Sequence, residues 1–188
     1  MSDPAGPTIR EAMPDDAQAI AAVHVASWRT TYRGIMSDAV LGGLSVERRA
    51  ATWRAMLDAP AARSFILVAE DALAGIIGFV SAGSERDGDP VYSGEIYAIY
   101  LLAPAQRRGV GRRLMTEAAL RLAAAGMPAF RLWVAADNHP GRRFYEAMGG
   151  APIAERTVQI GGADLREVAY GWRAISPPRP LPCIHPSG

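Results

Sequence analysis

The apolar positions of this chain follow two periods, and the switches between them mark out its elements. Residues 8–13 read as a short strand. Pro14-Asp15-Asp16 then opens a helix whose early acidic side chains suit the positive end of its dipole. Ile20, Val23 and Ser27, with Ala26 beside them, give that helix an apolar or small face through Trp28. A second helix is expected after Ser45, with Glu47 early and Trp53, Met56 and Leu57 at helical spacing, stopped by Pro60. Residues 65–69 and 76–80 read as strands joined by a turn at 70–75. The polar stretch 83–90, with Gly88 and Pro90, reads as a loop.

Residues 95–102 form the next expected strand. Strict alternation places Glu95, Tyr97, Ile99 and Leu101 on one face and Ile96, Ala98, Tyr100 and Leu102 on the other. Both faces are largely apolar, which predicts a central strand covered on both sides. Beyond Pro104 a helix is expected over 109–125, because Val110, Leu114, Ala118 and Leu122 recur every four residues and Gly126 with Pro128 stops it. Residues 130–135 then read as a strand and 138–148 as a helix closed by Gly149-Gly150. Residues 158–160 and 168–172 read as a hairpin around Gly161-Gly162. This order predicts a mixed α/β sheet with helices on its faces.

A chain of 188 residues suits one domain with a sizeable core, expected at 8–175 between a 1–7 tail and a Pro-rich tail at 176–188. Being 49% hydrophobic and 21% charged, it has too much apolar surface to bury for a disordered chain. Lys plus Arg total 20 against 19 acidic residues, so no net charge points to nucleic acid or an anionic membrane. No segment approaches the roughly 20 apolar residues of a membrane span, and the first residues carry no signal-peptide pattern. The single cysteine, Cys183, excludes an intramolecular disulfide. A cytoplasmic protein is the expectation. His24, His139 and His185 have no metal-ligand spacing to one another or to Cys183, so no metal is expected.

The chemistry concentrates where the central strand meets the long helix. Arg107, Arg108, Gly109, Val110, Gly111 and Arg112 lie at the first helical turn, whose N–H groups have no partner inside the helix. Those groups and the dipole favour a phosphate, and Gly109 and Gly111 let an anion reach the backbone. No P-loop run is present, and the third glycine of a dinucleotide fingerprint is replaced by Leu114. Backbone chemistry alone therefore leaves open an anion site or a plain glycine turn before a core helix.

The run Gln106-Arg107-Arg108-Gly109-Val110-Gly111 resembles the pyrophosphate loop of the GNAT superfamily of acetyl-CoA-dependent N-acetyltransferases. The strand around Glu95 looks like that family's fourth strand, and Asn138, Gly141, Phe144, Tyr145, Glu146 and Gly149 look like its second cofactor motif. Each motif is weak alone, but three in order at the right spacing are specific, and element order agrees over 8–174. Gly150 departs from the pattern, where the family usually has an aromatic; a local packing change is expected there.

The resemblance implies a GNAT fold of about seven strands, splayed at the fourth and fifth, with acetyl-CoA as cosubstrate and a small-molecule amine as acceptor. It implies cofactor contacts from Leu101, Leu102, the 106–112 loop, Asn138 and Tyr145, and it allows a homodimer. An acceptor ammonium of pKa ~10.4 must lose a proton before it attacks, so Glu95, a carboxylate on an apolar strand, is the candidate base. Glu95 as the solvated start of the strand is the bland alternative. Tyr145 is the candidate acid for the leaving thiolate. Its ordinary pKa of about 10 lies above the thiol's ~8.5, so donation requires the thiolate to develop first or the phenol to be tuned. Trp28 and Tyr32, four apart on one helical face, with Arg29 beside them, are candidates to hold an acceptor carrying a carboxylate, or else form a core stripe. Competing readings are a protein N-terminal acetyltransferase, which needs a groove open at both ends, a non-catalytic acyl-CoA sensor, and a scaffold acting through Pro177-Pro178-Arg179-Pro180-Leu181-Pro182.

Overall fold

A strand, β1 (Thr8–Glu11), leads through a 3-10 turn at Pro14–Asp16 into helix α1 (Ala17–Thr31). The apolar stripe of α1 is buried at Ile20, Val23 and Ser27. Helix α3 (Val46–Asp58) starts at Ser45, whose hydroxyl accepts the Arg48 N–H at 3.1 Å. Between them lies a helix the periodicity did not predict, α2 (Asp38–Gly42), capped by Ser37. Strands β2 (Phe65–Asp71), β3 (Gly75–Ser84) and β4 (Gly94–Leu101) follow, then α4 (Val110–Ala124), β5 (Phe130–Ala135) and α5 (His139–Ala147). The hairpin is much longer than the sequence suggested, β6 (Ala151–Ile160) and β7 (Ala163–Trp172). Gly161 and Gly162 take φ of 60° and 80°, the paired left-handed residues that a tight right-twisted hairpin requires. The computed structural model describes residues 6–173, so the Pro-rich segment, Cys183 and His185 lie outside the described residues.

The strands form one mixed sheet in the order β1-β2-β3-β4-β5-β7-β6, antiparallel except for the β4–β5 pair. That pair is short. Gly94, Glu95 and Ile96 face Phe130, Arg131 and Leu132, and beyond them the two strands part. The cause is an extra residue in β4. Ser81 of β3 pairs with Ala98 and Ala82 pairs with Ile96, which leaves Tyr97 unmatched as a bulge that bends the strand.

The bulge also overturns the simple alternation. Ile96 packs with Ile99 and Leu101 in the layer under α4, whereas Ala98, Tyr100 and Leu102 pack under α1 and α3. Glu95 thereby joins the α1 side with Tyr100 instead of the face of Ile99. The strand is central, as expected, but from Tyr97 to Leu101 it is only half-buried, because the splay uncovers it.

The sheet separates two apolar layers. Leu114, Met115, Ala118 and Leu122 of α4 cover Leu67, Val80 and Ile96, while Ile20, Val23 and Trp53 cover Val68 and Phe79 on the other side. A third cluster joins the α1–α2 segment to the β6–β7 hairpin through Tyr32, Met36, Leu41 and Leu165. No helix among the described residues is long and apolar enough to cross a membrane.

Candidate active site

The loop between β4 and α4 curls into a cradle. Arg107 and Gly109 both take left-handed backbone angles, φ 59° and 81°. For Arg107 that conformation costs about 1–2 kcal/mol, so the surrounding turn must hold it there. The first backbone hydrogen bond of α4 runs from the Arg113 N–H to the Gly109 carbonyl at 3.1 Å. Among the described residues the N–H groups of Val110, Gly111 and Arg112 find no partner in the protein, and they point out of the positive end of a 15-residue helix. Arg107, Arg108 and Arg112 are exposed around them. The described ion pairs use Arg10, Arg54, Arg86, Arg121, Arg131, Arg156 and Arg166 and leave these three out. The result is a backbone nest ringed by unspent guanidinium groups, suited to a multiply charged phosphate.

The splay lies beside this cradle. The Leu102 N–H donates to the Ile77 carbonyl on β3 at 2.9 Å, so Leu102 faces away from β5. By alternation the backbone groups of Leu101 and Ile99 turn toward the gap. The Leu101 carbonyl already accepts from the Ser27 hydroxyl at 3.1 Å and the Gln106 amide at 3.2 Å, which ties α1 and the cradle to the lip of the gap.

Tyr145 enters from α5. It is buried, with its ring against Phe144, Tyr170 and Trp172. Burial, and next the nearby Tyr32, push its phenol well above the ordinary tyrosine value. That tuning runs opposite to what easy proton release requires. A phenol so placed stays neutral, a hydrogen-bond donor and not a ready source of a proton. Tyr32 and Tyr100 are also raised by burial, and their hydroxyls lie 3.5 Å apart. Asn138, two helical turns before Tyr145, uses its Oδ1 to accept the Gly141 N–H at 3.0 Å and cap α5. At Gly150, where an aromatic was expected, the Trp172 ring fills the space, stacks on Phe130 at 5.1 Å and donates to the Met148 carbonyl at 3.0 Å.

A cleft of about 140 Å³ opens on the α1 side of β4. Trp28, Tyr32, Tyr97, Tyr100 and Trp133 give it aromatic walls, and Glu95, Arg86, Arg156 and Glu167 give it charge. Glu95 is 1% exposed, pairs with the Arg86 guanidinium and accepts the Arg86 backbone N–H at 3.4 Å. The Arg86 guanidinium also lies over the Tyr97 ring, 4.4 Å from its centre. Across the cleft Arg156 repeats the arrangement, bonded to Glu167 at 2.7 Å and lying 4.0 Å over Trp133.

The structure therefore brings Glu95, Trp28 and Tyr32 together in one cleft. Arg29 is not among the lining residues: its guanidinium is spent on the carbonyls of Leu41, at 3.4 Å, and Leu44, at 2.9 Å. The cleft's cations are Arg86 and Arg156, from the β3–β4 loop and from β6, which no local pattern singled out. Buried Arg131 on β5, bonded to Glu85, Asp87 and Asp89, holds that loop in place and was likewise silent in the sequence.

Comparison with known proteins finds relatives of the chain and of its fold. Residues 26–150 match the model of the acetyltransferase (GNAT) family. The uncharacterized N-acetyltransferase YuaI of Bacillus subtilis (strain 168) is 38% identical over 171 residues, which is 90% of this chain and 94% of the relative. A GCN5-related N-acetyltransferase from Rhodopseudomonas palustris shares the fold at TM-score 0.69 and 22% identity, over 91% of this chain and 98% of that one. PaiA N-acetyltransferase from Thermoplasma acidophilum, solved in complex with coenzyme A, does so at TM-score 0.65 and 21% identity, over 92% and 100%.

Proposed function

The chain belongs to the acetyltransferase (GNAT) family, and from that membership we propose that it moves the acetyl group of acetyl-CoA onto a primary amine of a small molecule, by direct attack in a ternary complex. The pyrophosphate of the donor is assigned to the N–H nest and arginines of the 106–112 loop, and its pantetheine arm to the backbone of Ile99 and Leu101 in the gap. The acceptor is assigned to the aromatic cleft. Glu95 takes the proton of the entering ammonium, directly or through a water. The amine nitrogen then attacks the thioester carbonyl, the C–N bond forms as the C–S bond breaks, and Tyr145 donates a hydrogen bond to the departing sulfur.

The observation that carries the small-molecule reading is the size and closure of the cleft. Its volume, about 140 Å³, is close to the roughly 150 Å³ that accommodates a benzene ring in an engineered cavity. One end is packed shut: Val40 of α2 sits directly on Gly161 of the hairpin turn, and Tyr32, Leu41, Ile160 and Leu165 cluster beside it. A peptide threading through would need both ends open. Release of free thiol from acetyl-CoA, followed across small amines, amino acids, aminoglycosides and peptides, tests this. Small amines should stimulate release and peptides should not. Stimulation by peptides alone would sink the small-molecule reading, and no acceptor-dependent release anywhere would favour a non-catalytic acyl-CoA sensor.

A further inference from the structure

The two ends of the site carry opposite charge. Exposed arginines ring the cradle, whereas around the cleft carboxylates outnumber guanidinium groups: Glu85, Asp87, Asp89, Glu95 and Glu167 against Arg86, Arg131 and Arg156. Within that negative surround, Glu95 and the Tyr97 ring make a complete cation site, a buried carboxylate beside an aromatic face, and the protein's own Arg86 guanidinium occupies it.

The guanidinium can leave without disturbing the fold. The Arg86 side chain is 57% exposed against 2% for Glu95, so it lies on Glu95 as a cover. The loop beneath it stays anchored because Arg131 binds Glu85, Asp87 and Asp89 on either side of Arg86. An ammonium arriving at Glu95 with Arg86 still in place would meet a like charge. With Arg86 swung to solvent, one cation replaces another on the same carboxylate and the same ring face.

Resting on the acetyltransferase reading with Glu95 as base, we propose that Arg86 is a built-in stand-in for the acceptor: the substrate binds as a cation, displaces the Arg86 guanidinium from Glu95 and Tyr97, and sets its ammonium where the base can reach it. The substrate class is then an amine without a neighbouring carboxylate. A carboxylate would bind Arg86, keep it in the cleft and leave Glu95 covered.

The test uses the full chain, with Trp28 and Trp133 of the cleft wall as fluorescence reporters. Tetramethylammonium, which cannot be acetylated, is titrated into the wild type and into Arg86→Ala and Arg86→Gln. Removing the resident cation should tighten binding about twofold to fivefold in both variants, in line with the modest strength of a half-exposed ion pair. In parallel, kcat/KM is compared for an arylalkylamine and for the amino acid that differs from it by one α-carboxylate. The wild type should prefer the amine at least about tenfold, and the preference should narrow in both variants, which lack the guanidinium that a carboxylate would hold over Glu95. Weaker or absent tetramethylammonium binding in the variants, or an amino-acid preference that disappears with Arg86, would overturn the proposal and make Arg86 a carboxylate receptor. The binding arm reads without turnover. Acetyl transfer without cation binding defeats this proposal alone, and cation binding without any acetyl transfer defeats only the enzymatic reading.

Discussion

His24 should make this protein sensitive to mild acid. It lies in α1, 7% exposed, among the rings of Trp28, Trp53, Phe79 and Tyr100 at centroid distances of 5.1 to 5.7 Å. Its Nδ1 accepts the Trp53 indole N–H at 3.3 Å, so its own proton sits on Nε2, which has no partner among the described residues. Only the neutral ring fits there. Burial first, and the charge of Arg49 second, lower its pKa from 6.5 to about 3. The folded value is depressed, so the stability it confers is present above pH 6.5 and is lost as pH falls from there toward 3, where the unfolded chain binds a proton and the folded one does not. Between pH 7 and pH 5 that uptake removes about 2 kcal/mol of stability, a result that hardly changes for any folded pKa below about 4. Urea unfolding at both pH values, followed by tryptophan fluorescence, measures it. His24→Phe keeps a ring in the cluster and removes the titration. Losing the acceptor for Trp53 shifts its stability at both pH values alike, and the carboxylates cancel in the comparison. The pH 7 to pH 5 loss should be about 2 kcal/mol smaller in the variant than in the wild type. Equal losses in the two proteins would refute the reasoning.

Other consequences can be checked separately. Tyr145→Phe should lower kcat about 10²–10³-fold, the usual cost of one donor to developing negative charge, with little change in the KM for acetyl-CoA; near-normal turnover would remove Tyr145 from the chemistry. Because its phenol is raised, the wild-type rate should show no alkaline decline assignable to Tyr145 below about pH 10, which a pH profile of kcat would expose. Arg131→Met strands the buried Glu85 and should cost about 3–5 kcal/mol in denaturant unfolding. Gly109→Ala meets no atom within 4 Å but must adopt φ 81°. A stability loss of about 1–2 kcal/mol, with a raised KM for acetyl-CoA, is expected.

The elements that neighbouring residues specify were legible from the chain itself. Ser45 caps its helix, Gly161-Gly162 turns its hairpin, and the four-residue recurrence from Val110 to Leu122 faces the core as read. The 106–112 loop stood out because helix-end N–H groups and left-handed glycine are properties of a few consecutive residues. Short α2 escaped, since five residues carry too little periodicity to register. What the chain could not display was decided by partners far away in sequence. Whether Tyr97 is a bulge depends on how β3 pairs with β4, and that one unmatched residue moves Glu95 to the α1 side and opens the gap beside β5. The charges of the cleft have the same origin. Arg29 sits next to Trp28 in sequence yet is drawn off by the Leu41 and Leu44 carbonyls, while Arg86 and Arg156 reach Glu95 and Glu167 only because sheet pairing brings their segments together. Backbone propensity acts over a few residues and is written locally, whereas strand register and ion pairing are fixed by whichever surfaces the folded sheet sets face to face.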